Sequence, residues 1–403
     1  MYYDLLNGLK VVDLSTYIAA PVAAEMLADL GADVIKIETP KGDVIRYLNA
    51  TCKIDDGPEE SSAFQCYNGG KKKIVLNLKT SEGLEVMHKL LSQADVFITN
   101  NRTKSLKKMG LDYNSIKSKY PELVYGQILG YGDKGPLKDA PGFDSVAFWT
   151  RSGFLQDAGT EGDYPINAPY GFGDISTGTA LFGAVCAALV KQQRQGEGSR
   201  VAVSLYGTSI WYNGILIGSA QKAPGFHATY PMKREDNSPL FTSYQSQDHK
   251  WIMLTILDYD KYFKSLCNAL NLSEIPDDPR FNTYNNLNKN RKEMIRILEE
   301  AFGKFTADEI SQKLTELDIT HDIMPHFKDV NTDPQALENG YIEDFTFKTG
   351  KTVKVARQPI HVTGQHPHKW QDAPKIGCDT ETVLKSIGYD DAMIMKLREN
   401  KTI

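Results

Sequence analysis

Two carboxylates stand out for the chemistry that their surroundings would permit, Asp174 in GFGDISTGTALFGAVCAALV and Asp144 in PGFDSVAFWTRSG. Asp174 lies between a Gly-Phe-Gly turn and a long apolar run, and two readings stand side by side. Asp is a favoured N-cap residue, and from Ile175 onward the spacing is helical with small residues at Ser176, Gly178, Ala180 and Gly183. A carboxylate beside flanking glycines can also serve as a nucleophile. Glycines let a bulky ligand approach, and a helix N-terminus favours the ionised form that attack requires.

Other chemistries find less support in the residues. The eight histidines form no HExxH and no evident pairing with Ser or Cys, and the chain has no GxSxG elbow. Its five cysteines are scattered, with no CxxC and no histidine at metal-ligand spacing, which argues against a disulfide framework or a zinc site. GYGDKG (Gly130–Gly135) matches the dinucleotide pattern GxGxxG, but Pro136 and Pro141 follow where a helix would have to open, so a loop is the better reading. NGGKKK (Asn68–Lys73) lacks the Walker spacing. The basic residues Arg102, Lys104, Lys107 and Lys108 in NNRTKSLKKMG follow a strand end, where a phosphorylated nucleotide tail or plain solvent could claim them.

The elements that must position these residues alternate. KVVDLS, PVAAEMLADLG and ADVIKIE are followed by KIVLNL, SEGLEVMHKLLSQA and DVFITN, and two further helix-to-strand pairings end at VYGQILGY and SRVAVSLYG. This alternation specifies an α/β class with a mostly parallel sheet. At 403 residues the chain exceeds one ordinary core. A Rossmann-like large domain is expected over residues 1–215, a small domain over 216–319 and a return to the large domain over 320–403, closing with a helix in ETVLKSIGYDDAMIMKLREN. A net charge of -5 gives no footprint for nucleic acid or a membrane surface, and no stretch reads as a membrane span. A cytoplasmic protein is expected.

Taken together, the motifs resemble the class III CoA-transferase family. LNGLKVVDLSTYIAAPVAAEMLADLGADVIKIE, GDVIR, LNLK, NNRTKSLKKMG, PGFD, GFGDISTG, GEGSRVAVSLY and DPRF occur in the order of that family, almost end to end. The resemblance implies that Asp174 is the catalytic nucleophile. It would pass through an aspartyl mixed anhydride and an aspartyl-CoA thioester, with amides near Gly171 and Gly173 stabilising the oxyanions. It implies CoA contacts at Ala19, Leu76, Lys79, Asn100, Asn101, Arg102, Lys108, Phe143 and Asp144. A family arginine is replaced by Thr39, with Arg46 or Lys41 as substitutes, and Thr16 and Ile18 also depart from the pattern.

The racemases of the superfamily carry His where this chain has Phe143, so inversion at the α-carbon is disfavoured. The most similar branch moves CoA from an acyl- or enoyl-CoA to an (R)-2-hydroxy acid such as an aryl-lactate or 2-hydroxyisocaproate. DKGPLKDAPGFD and AFWTRSGF carry that likeness, and an acyl pocket near Phe148, Trp149 and Phe154 is one use for those rings, core packing the other. The resemblance further implies a small inserted α+β domain, an interlocked homodimer, CoA thioester as substrate with no tightly bound cofactor or metal, and a loop over the site near Asn237 and Ser238.

Overall fold

The computed structural model describes residues 2–48, 57–159, 162–221, 234–372 and 375–403. Strands β1 (Lys10–Leu14), β2 (Asp33–Glu38), β3 (Lys72–Val75), β4 (Val96–Thr99), β5 (Val124–Leu129) and β6 (Arg200–Ser204) form a sheet in the order β3-β2-β1-β4-β5-β6. Every pairing in it is parallel. All six carboxyl ends therefore open on one edge.

Successive side chains of a strand point to opposite faces, and this sheet has an apolar core on each. Val12, Phe97 and Tyr125 belong to one core, together with Val86 and Leu90 of the helix Ser81–Leu91 and with Val383 and Leu384 near the C-terminus. Val11, Val96, Ile98 and Val124 belong to the other, against the helices α1 (Ala19–Asp29) and α2 (Phe172–Gln195). The strand residues are hydrophobic on both sides for that reason.

The α1 and α2 helices approach closely because their contact faces are small. Ala20, Ala23 and Ala24 of α1 lie in that core, and a Cβ on Gly178 of α2 would come within 2.4 Å of the Ala19 carbonyl oxygen. By length and composition alone α2 could cross a bilayer, contrary to the sequence expectation. In the fold Leu181, Val185, Ala188 and Leu189 are instead buried between the sheet and α1.

The chain forms two compact units, one of Met1–Phe154, Asn167–Ile217 and Pro334–Ile403, the other of Leu155–Ile166 and Gly218–Asp333. In the second, an antiparallel sheet of Phe241–Gln245, Trp251–Thr255 and His321–Ile323 packs with short helices around Tyr244, Leu254, Phe263, Phe302 and Ile310. Residues 230–233 of YPMKREDNSPL lie outside the described residues; Asn237 and Ser238 adjoin a short 3-10 turn, and Phe241 N–H donates to the Ser238 carbonyl at 3.0 Å. The C-terminal stretch contains an antiparallel pair, Ile342–Thr346 with Thr352–Ala356. Its expected final helix is two helices, Thr380–Ser386 and Asp391–Glu399, separated by Gly388 at φ 87°.

The helix contact gives a direct test. Replacing Gly178 with Val forces a side chain into the Ala19 backbone, which has nowhere to retreat, and is expected to cost about 2 to 3 kcal/mol. In urea unfolding the midpoint falls while the denaturant slope is unchanged.

Candidate active site

Chain order reverses between β1 and β4, since β1 leads outward to β2 and β3 while β4 leads to β5 and β6. Loops leaving the two strands diverge, and a crevice opens at their carboxyl ends. The side chains there stitch the loops together. Asn100 accepts from Thr16 N–H at 3.0 Å and donates to the Thr16 carbonyl at 2.7 Å, while Asn101 donates to the Leu14 carbonyl at 3.0 Å. Above them lies a cleft of about 390 Å³, lined among others by Tyr17, Ala19, Arg102, Lys138, Phe143 and Asp174.

Beneath the crevice runs a set of buried ion pairs. Lys71 donates to Asp13 at 2.8 Å, to the Pro21 carbonyl at 2.9 Å and to Asn68 at 3.0 Å, which uses all three ammonium protons. Burial pushes the Asp13 carboxyl up, but Lys71 and Lys36 together hold it below its ordinary range. Lys36 lies 2.8 Å from Asp43, and its pKa is raised because Asp43 and Asp13 outweigh the burial that would lower it. Asp43 also accepts from the Thr16 hydroxyl at 2.9 Å, from Tyr17 N–H at 3.0 Å and from Ile45 N–H at 3.1 Å. These bonds hold Tyr17 at φ 71°, a left-handed conformation that costs a bulky residue about 1 to 2 kcal/mol.

Arg46 is part of this foundation. Its guanidinium contacts Glu38 at 2.8 and 2.9 Å and covers the Phe64 ring at 3.6 Å, with the residue only 1 % exposed. Its expected role as a substitute phosphate contact is thereby corrected. Lys41 and Thr39 are exposed.

Asp174 is not the cap of its helix. Gly171, at φ 71°, occupies the N-cap position, and α2 begins at Phe172. That places Asp174 in the first turn, 6 % exposed. Burial and the nearby Asp144 carboxylate raise its pKa to about 7, so the helix terminus does not dominate as the sequence had implied. Asp144 is itself raised to about 6, chiefly by burial, against the pull of the Gly171 and Gly173 amides and of Trp149. The two carboxyls repel each other in a poorly solvated corner. Among the described residues, Asp144 Oδ1 and Trp149 Nε1 are both buried without a partner in hydrogen-bonding geometry.

Gly173 explains how the corner closes. A Cβ there would lie 2.2 Å from Asp144 Oδ1 and 2.3 Å from the Phe148 ring, so only glycine fits. The Gly171 and Gly173 amides favour the ionised Asp144 carboxyl against its burial. Phe148 and Trp149 are buried and continue edge to face into Phe154, forming local core in place of an open acyl pocket.

Of the expected ligand contacts, Ala19, Asn100, Asn101, Arg102 and Phe143 line the cleft with Asp174. Leu76 does not: its side chain is in the core and its N–H donates to the Glu38 carbonyl at 3.0 Å. Asp144 is buried outside the cleft lining, and Lys79 and Lys108 are exposed beyond it. Lys79 follows β3, three strands from β4 and so about 14 Å away along the sheet edge.

The sequence reading missed Tyr17, Tyr67, Tyr170 and Lys138. Tyr17 and Tyr170 join hydroxyl to hydroxyl. Burial raises the Tyr67 and Tyr170 phenols, and the charge of Asp174 adds to both shifts. A tyrosine directly beyond β1 was the available signal.

GYGDKG follows β5 and enters turns, not a helix, and β1 is followed by Ser15, Thr16 and Tyr17 with no glycine for a pyrophosphate. The loop it begins is pinched at its neck. A Cβ on Gly130 or Gly142 would lie 3.1 or 2.9 Å from the other's Cα, so a side chain at Gly142 would force a shift and one at Gly130 would be tight.

This architecture can be set against known proteins. The sequence matches the model of CoA-transferase family III over residues 6–380. The chain belongs to CoA-transferase family III. The transferase is 41% identical over 400 residues to the (R)-2-hydroxy-4-methylpentanoate CoA-transferase of Clostridioides difficile, covering 99% of each chain. It is 37% identical over 403 residues to the cinnamoyl-CoA:phenyllactate CoA-transferase of Clostridium sporogenes, covering 99% of this chain and 97% of the other. Among solved structures, a CAIB/BAIF family protein from Brucella suis superposes with a TM-score of 0.80 at 27% identity, over 95% of this chain and 99% of that one. Membership in this family replaces the dinucleotide reading.

The carboxyl pair makes the transferase pH-sensitive in stability. Because Asp174 titrates near 7 and an unfolded aspartate near 3.8, the native state holds the extra proton between those values, and stability falls as pH rises through that window. Asp174→Asn removes the buried charge. At pH 8 the variant is expected to exceed the parent in stability by about 2 to 4 kcal/mol, part of the three-unit shift being shared with Asp144. At pH 4 the two should nearly coincide in denaturant unfolding.

Proposed function

We propose that the protein transfers CoA from an acyl- or enoyl-CoA donor to a 2-hydroxy carboxylic acid of the (R) series, with Asp174 as the nucleophile. The observation that carries this reading is a buried but titratable carboxylate lining a cleft at the sheet's switch point. The names of the two relatives above support the acceptor class.

The chemistry follows from that carboxylate. Ionised Asp174 adds to the donor thioester carbonyl and expels CoA thiolate, leaving a mixed anhydride. The thiolate attacks the aspartyl carbonyl, releases the donor acid and forms an enzyme-bound thioester. The acceptor carboxylate attacks in turn, giving a second anhydride, and the returning thiolate captures the acceptor acyl group and frees Asp174. CoA thioester is thus substrate, not a resident cofactor. Arg102 and Lys138 on the cleft wall are suited to the CoA phosphates. Phe143 supplies no ring nitrogen for racemase-type proton removal.

A homodimer is part of the proposal. Trp211 and Ile215 are 81 % and 83 % exposed four residues apart, and Tyr212 and Leu216 are exposed beside them. Such a contiguous apolar surface suits burial against a second copy, which light scattering would detect.

Asp174→Asn is expected to fold and to lose transfer activity by at least a thousandfold. Intact mass after incubation with an acyl-CoA should show a CoA adduct on the parent and none on the variant. Full transfer by the variant would refute the nucleophile. Since only the ionised carboxylate attacks, kcat/KM should climb with pH up to about 7 and level off above it.

A further inference from the structure

We propose that Tyr17 is the residue by which this site distinguishes a 2-hydroxy acid from an acid lacking the hydroxyl. The inference rests on the reading of the cleft as a CoA-transferase site. An acceptor carboxylate must react at Asp174, so its 2-hydroxyl lies one carbon from the reacting group. A side chain that recognises that hydroxyl has to stand in the same cleft, and one that offers both a proton and a lone pair can match it in both of its roles.

Tyr17 meets those requirements. It lines the cleft with Asp174 and Phe143, and its ring meets Phe143 edge to face at 6.5 Å between centroids. Its phenol is bonded to that of Tyr170, with ring centroids 6.4 Å apart. Two phenols bring two protons, and their mutual bond uses one. Among the described residues neither hydroxyl has another hydrogen-bond partner. Either hydroxyl can donate that bond; when Tyr170 donates it, the Tyr17 proton and a lone pair are left for a ligand hydroxyl, which is itself both donor and acceptor. A simple acyl chain offers nothing to match them.

The position is also built in advance. Tyr17 sits at φ 71° because Asp43, ion-paired to buried Lys36, takes its N–H at 3.0 Å and the neighbouring Thr16 hydroxyl at 2.9 Å. The backbone conformation is thus maintained by groups outside the cleft, and the ring needs no substrate to bring it there. Tyr170 immediately precedes Gly171, the residue that opens the helix carrying Asp174. The phenol pair consequently joins the loop after β1 to the segment that positions the nucleophile.

The test is Tyr17→Phe, which keeps the ring and deletes only the hydroxyl. Transfer is measured from one acyl-CoA donor to 2-hydroxy-4-methylpentanoate and to its deoxy counterpart, 4-methylpentanoate. The ratio of the two kcat/KM values is expected to fall about 10- to 100-fold in the variant. Tyr170→Phe, which leaves the Tyr17 hydroxyl in place, should lower the ratio less. A Tyr17→Phe enzyme that retains the parent ratio overturns the proposal, and so does an equal loss with both acids. Intact mass separates this from failure of the underlying reading. If the parent forms no CoA adduct on Asp174 or does not favour the hydroxy acid, the functional assignment fails and the proposal with it.

Discussion

The carboxylate of Asp43 ties together the parts of the fold that define the cleft. It pairs with Lys36 on β2, receives the Thr16 hydroxyl and the Tyr17 amide just beyond β1, and caps the turn that begins at Val44. Buried ion pairs contribute little net stability, because desolvation offsets much of the attraction, but losing one partner leaves a buried charge and is expensive. Their value here is geometric. Parallel strands open the crevice, and Asp43 determines how the first loop crosses it, with Asn100 and Asn101 fixing the opposite side.

A second tension governs the acidic corner. Low solvation near Asp174 opposes ionisation, and the adjacent Asp144 opposes it further. A carboxylate that ionises there is poorly hydrated, and attack on a thioester requires little water to be shed. The fold accepts an unfavourable pair of charges where the proposed reaction needs an unsolvated anion. Gly173 is what permits it, since any larger residue would occupy the space of Asp144 and Phe148.

Much of this was legible in the residues. Alternating apolar runs specified the parallel strands, and the Gly-rich entry to the long helix marked the neighbourhood of Asp174. Strand order was not, because whether β4 joins β1 or β3 depends on contacts distant in sequence. The cap assignment failed because Gly171 adopts a positive φ and starts the helix at Phe172, a backbone property invisible in residue type. Arg46 and Leu76 were assigned to ligand by motif position, but Glu38 and the core claim their side chains. Tyr17 was marked locally only by its place directly beyond β1; its backbone conformation depends on Asp43, a contact that the neighbouring residues do not reveal.

The crossing of Gly130 and Gly142 bears on how such an enzyme can diversify. Because the two backbones touch at the neck, the last residue of the loop is set by the first, whatever lies between. Phe143 and Asp144 follow directly, so their placement is insulated from insertions, deletions or exchanges in the intervening segment. That segment brings Lys138 and Asp139 to the cleft wall. Descendants of this fold can therefore rewrite the charge and length of one wall while inheriting the acidic corner unchanged.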